Sequence, residues 1–158
     1  MDENTVLRHG WLVFVVVTTL NALILRVRSR SRIRERPALA PGYHRLFLGI
    51  LIWENLPWLV MGIGIELGGV PTMFSYFNPG SGNPFILAWY AVIAGLWSLG
   101  FYWLFFRGGA AFLVEHPGVF RIDLGSPTTV KVWYCALVGI AISAIVFTIK
   151  FGFFRSVE

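Results

Sequence analysis

Glu54 and Asn55 sit beside Pro57 in the stretch Trp53-Glu54-Asn55-Leu56-Pro57-Trp58, in the middle of an apolar run over 47–65. A carboxyl and an amide placed there can bind and release a proton or cation, or can hydrogen-bond one helix to another. If the run crosses a bilayer, a charged side chain at its centre costs about 2.5–3.5 kcal/mol on insertion scales. Pro57 adds to this, because it has no N–H and leaves the Trp53 carbonyl without its helical partner. Hydrocarbon favours the uncharged form, so Glu54 is expected to rest as a protonated donor.

Other polar residues fall at a similar depth. With a rise of about 1.5 Å per residue, Glu54 lies about 13 Å above Arg45, Thr18 about 12 Å above Arg26 and Ser98 about 13 Å above Arg107. The spacing predicts one polar layer of Thr18, Glu54, Asn55 and Ser98, acting either as an ion or proton site or as a structural clamp. Small residues four apart suit close helix approach. They occur at Gly64 and Gly68, at Ala91 and Gly95, and at Cys135, Gly139 and Ser143. These faces are expected to pack inside the bundle or between subunits. The Gly62–Gly68 spacing lacks the third glycine of a nucleotide loop and lies within an apolar run, which excludes that reading.

The remaining chemistry is sparse. His9, His44 and His116 all lie outside the apolar runs, which argues against haem ligation within a bundle. His44, Glu115 and His116 form a weak candidate set at one membrane face, since two adjacent ligands followed by Pro117-Gly118 suit a surface turn better than a metal site. There is no HExxH, GxSxG or phosphate-binding loop, so no metal, cofactor or catalytic residue is expected. Cys135 is the single cysteine, which excludes an intrachain disulfide or a CxxC pair.

The elements that carry these residues follow from composition. Of 158 residues, 56% are hydrophobic and only 13% charged, and mean hydropathy is +0.69. Charged residues are too few to cover a soluble globule of this size. A bilayer core needs about 20 apolar residues per helix, and four segments approach that length: 10–25, 46–67, 85–106 and 132–149. The expected fold is therefore an all-α membrane protein, a single four-helix transmembrane bundle covering 1–158.

Six arginines alternate with other residues over 26–36, directly after the first span. Their position suits a topogenic signal, with adhesion to anionic lipid as a by-product; the net charge of +5 is therefore not read as a nucleic-acid signal. Pro37 and Pro41-Gly42 predict a break, making 26–45 a basic loop. The connection over 68–84 is rich in Gly, Asn and Pro but also in aromatics, so it should fold back on the bundle or the interface. The second basic loop, 107–131, contains an alternating stretch over 120–124 that suits an extended segment.

Ten basic residues lie in the two loops 26–45 and 107–131, against Arg8, Lys150 and Arg155 on the other side. This bias predicts cytoplasmic loops and extracytoplasmic termini, as in a bacterial inner membrane. Four spans and an intramembrane acid make an architecture similar to that of small multidrug transporters, though loop charge and span placement differ. The expected function is a scaffold or accessory subunit working with a second copy or another membrane protein. The alternatives are a small oligomeric proton-linked transporter or channel using Glu54 and, behind it, a lipid-acting enzyme at the His44, Glu115 and His116 face.

Overall fold

The computed structural model describes residues 8–119 and 124–151. Its long helices are α1 (Trp11–Glu35), α2 (Ala40–Gly49), α3 (Leu56–Glu66), α4 (Pro84–Phe106) and α6 (Pro127–Phe151), with the short α5 at Gly109–Glu115. No strand occurs among the described residues. Four helical stretches are long and apolar enough to cross a membrane: Trp11–Glu35, Pro37–Glu66, Pro84–Phe106 and Pro127–Phe151. The alternating stretch over 120–124 lies outside the described residues except for Leu124, which is buried.

The expected basic loop over 26–45 is not a loop. Helix α1 continues through the arginines to Glu35, and a 3-10 turn at Pro37–Leu39 leads directly into α2. Arginine is a good helix former, and 11–36 contains no proline or glycine to interrupt the ladder. The break comes only at Arg36, which leaves helical space (φ −138°, ψ 85°) as a residue before proline must. Pro37 and Pro41 then occupy first-turn positions, where a missing N–H costs nothing. The prolines thus start helices instead of excluding them.

Between α2 and α3 the chain makes a π turn at Ile50–Glu54. A π turn pairs each residue with the fifth one on, a register compatible with Pro57, whose missing N–H rules out the ordinary bond to Trp53. The 68–84 connection folds back as its aromatic content suggests. It forms 3-10 turns at Met73–Phe77 and Pro79–Ser81 and buries Tyr76 completely. Tyr76 Oη donates to the Met61 carbonyl at 2.9 Å, and Tyr90 Oη donates to the Tyr76 carbonyl at 2.9 Å. Asn83 accepts from the Phe85 N–H at the start of α4 and donates from Nδ2 to the Gly68 carbonyl.

Two apolar clusters sit at opposite ends of the bundle. One joins Leu25, Tyr43, Leu46, Leu104, Leu113 and Val130 at the arginine end. The other joins Met61, Ile65, Val70, Tyr76, Ile86 and Trp89 beneath the folded connection. At that second end Arg8 and His9 approach Glu66 at 3.4 and 3.7 Å, but the pairs are exposed and contribute little. Helix α6 is attached lightly: Val130 is its one buried residue, and Tyr134 Oη donates to the Trp97 carbonyl across Gly100.

Candidate functional site

Halfway between the apolar clusters, the buried side chain is an amide. Asn55 is 5% exposed, and Thr18 Oγ1 lies 2.5 Å from its Oδ1 and donates to it. The Phe14 carbonyl, at 2.8 Å, is the alternative acceptor for the same proton. Asn55 Nδ2 donates to the Leu51 carbonyl at 2.7 Å and reaches Thr19 Oγ1 at 3.5 Å. The amide therefore bonds both to its own helix, at the π turn, and to α1. A fully bonded amide in an apolar setting costs far less than a free one.

The predicted layer of four divides here. Thr18 and Asn55 meet, but Glu54 and Ser98 are both exposed and make no hydrogen bond to either of them. Glu54 has no hydrogen-bond or ion-pair partner among the described residues. Adjacent residues on a helix point about 100° apart, so one of an adjacent pair can face inward and the other outward. Of the neighbouring tryptophans, Trp53 is 54% exposed, and Trp58 stacks on Phe14 with ring centroids 4.2 Å apart.

The small-residue faces also divide. A Cβ on Gly64 would lie 2.0 Å from Tyr76 Oη, and one on Gly68 2.3 Å from the Phe85 ring, so this face does carry close contact. Gly95 and Gly139 have open space around the Cβ position, and Ala91, Cys135 and Ser143 are exposed. Those two faces do not pack within the chain. The close approaches that the four-residue spacing missed are Gly62 against Trp11, Gly100 against Tyr134, Gly109 against Trp103 and Gly42 against His116. In each, a single glycine receives an aromatic or imidazole ring from another segment, a pattern without periodicity.

The candidate set at the arginine end is also dispersed. His116 is 4% exposed, with Nδ1 2.9 Å from the Phe112 carbonyl and its ring stacked on Phe112 and edge-on to Tyr43. Tyr43 Oη donates to the Pro117 carbonyl at 2.9 Å, which holds the turn after α5 against α2. His44 and Glu115 face outward, and no group of three His, Cys, Asp or Glu side chains that could hold a metal exists among the described residues. This end is a packing joint. No protein-family model, curated protein or solved structure matches the chain.

Proposed function

We propose that this chain is an integral membrane scaffold or accessory subunit that associates with another membrane-spanning chain through its Glu54 face. The observation that carries the reading is the exposed, unpartnered carboxyl of Glu54 in the middle of the Pro37–Glu66 stretch. Hydrocarbon offers it neither hydrogen bonds nor a counter-charge. The spans supply no cation at that level, since the nearest basic residue along the helix, Arg45, lies about 13 Å away. A donor or acceptor from a second chain satisfies the group. The outward face of Cys135, Gly139 and Ser143 offers that chain a close approach at a separate place. The arginine end faces the cytoplasm of a bacterial inner membrane in this reading, with both termini outside.

The single cysteine makes the test clean. In a Cys135→Ala background, Glu54→Cys should cross-link in membranes to a neighbouring chain, while Leu59→Cys, which is 44% exposed on α3, should not. Glu54→Gln keeps a donor and should preserve assembly in mild detergent; Glu54→Leu should lose it. An assembly indifferent to Leu would remove this reading. The π turn that ends at Glu54 favours a second one, because such turns recur at functional sites. A proton-linked transporter would show pH-dependent flux in proteoliposomes that Glu54→Gln abolishes while leaving assembly intact.

A further inference from the structure

The arginine run becomes a different object once it is helical. Leu25 and Ser29 are buried, and Ile33 packs against the apolar cluster at this end, so one face of α1 is fixed beyond the last apolar residues of the span. All six arginines, Arg26, Arg28, Arg30, Arg32, Arg34 and Arg36, are exposed. None makes an ion pair with a carboxylate among the described residues. A two-residue step turns a helix by about 200°. Arg26, Arg30 and Arg34 therefore line one flank of the packed face and Arg28 and Arg32 the other, while Arg36 follows just past the helix end.

Depth can be set from two cation–ring contacts. The Arg26 guanidinium lies 5.2 Å from the centroid of Phe47, and Lys131 Nζ lies 5.1 Å from that of Phe105. Such pairs belong where an apolar ring meets a polar layer. From Arg26, the helix rises about 3 Å to Arg28 and about 6 Å to Arg30, the depth of a headgroup layer roughly 5–7 Å thick. Arg32, Arg34 and Arg36 emanate farther out, on long side chains that can reach back toward that layer.

We infer that this basic continuation of α1 is a binding surface for the phosphates of anionic phospholipids, used on both flanks at once. Each guanidinium is a planar fork suited to phosphate oxygens. The two-flank arrangement selects the occupant. A folded protein or a nucleic-acid duplex presents one surface and meets one row of arginines. A headgroup layer surrounds an emerging helix and meets both. A topogenic signal acts during insertion and brings lipid adhesion only as a by-product, whereas here the folded helix itself holds headgroup phosphates.

The test uses the full chain, reconstituted into phosphatidylcholine bilayers with and without phosphatidylglycerol and re-extracted gently. Lipid retained per chain is read by mass spectrometry. Wild type should retain phosphatidylglycerol several-fold over phosphatidylcholine at low salt. The preference should collapse near about 1 M salt, where screening shortens to about 3 Å. Replacing Arg28, Arg32 and Arg36 by Gln should remove about half of the preference, and so should replacing Arg26, Arg30 and Arg34. Helical content by circular dichroism checks that both triple variants fold. If they do not accumulate, the lipid preference and salt response of wild type decide alone. Equal retention of the two lipids overturns the inference. So does loss confined to one triple variant, or stoichiometric binding of transfer RNA with no lipid preference, since both indicate a one-sided macromolecular site.

Discussion

At the scale of single residues, the bonds of Asn55 to Thr18 and, more weakly, to Thr19 join α1 to the next span. Asn55→Leu removes the amide's bond to the Leu51 carbonyl and returns the Thr18 hydroxyl to the Phe14 carbonyl, and should cost roughly 0.6–2 kcal/mol by the range measured for membrane hydrogen bonds. Thr18→Val should cost less, and the double variant should cost less than the sum; strict additivity in detergent unfolding would show that the contact carries no energy. Tyr76 offers a pH signature. Burial pushes its phenol from an ordinary value of 10.0 up to about 12. The folded state thus holds the proton more tightly, so this stabilisation is complete below pH 10.0 and fades as pH rises toward about 12. Tyr76→Phe should lose about 1 kcal/mol with the bond to the Met61 carbonyl, and its melting temperature should no longer carry this tyrosine's alkaline decline.

At the scale of elements, glycines with the same apparent helical role diverge. A Cβ on Gly42 would fall 1.9 Å from His116 Nε2, so Gly42→Ala must displace the imidazole that joins α2 to α5. A loss of about 1–3 kcal/mol is expected, as for other overpacked sites. Gly139 has open space around it on α6. Gly139→Leu should therefore leave the melting of the isolated chain near wild type, and any effect should appear in assembly alone. Measuring both variants side by side separates packing inside the chain from packing between chains.

At the scale of the whole molecule, the charge bias predicts an orientation. Reporters fused within 37–45 or near Gly118 should read as cytoplasmic, and one at Asn83, in the folded connection that lacks basic residues, should read as external. An external signal from the arginine end would invert the proposed orientation and place the proposed lipid-binding surface against the outer leaflet. The packing supports treating the two ends differently. The end beneath the 68–84 connection is sealed by Tyr76, Tyr90 and Asn83, whereas the arginine end is held by the His116 joint and carries a helix that projects beyond its apolar span.

Composition and length alone were enough to place four apolar stretches able to span a membrane, with close limits for 85–106, whereas the first two stretches extend as helix into the expected loop over 26–45. Apolar runs of this length can satisfy their backbone only as helices if lipid surrounds them, so length and composition suffice. The folding back of the 68–84 connection was legible for a related reason, because Met73, Phe74, Tyr76 and Phe77 are too apolar for a solvated loop. The helical state of the arginine run was not legible, because Pro37 and Pro41 read as breaks in a sequence but start helices when they occupy the first turn. Which way the polar residues face emerged from the packing alone. The spans are apolar on every side, so no period marks an inner stripe, and the π turn at Ile50–Glu54 shifts the rotation of everything before it. Contacts remote in sequence set the phase: Trp11 against Gly62 and Phe85 against Gly68 turn Asn55 inward toward Thr18 and leave Glu54, its neighbour in the chain, facing out.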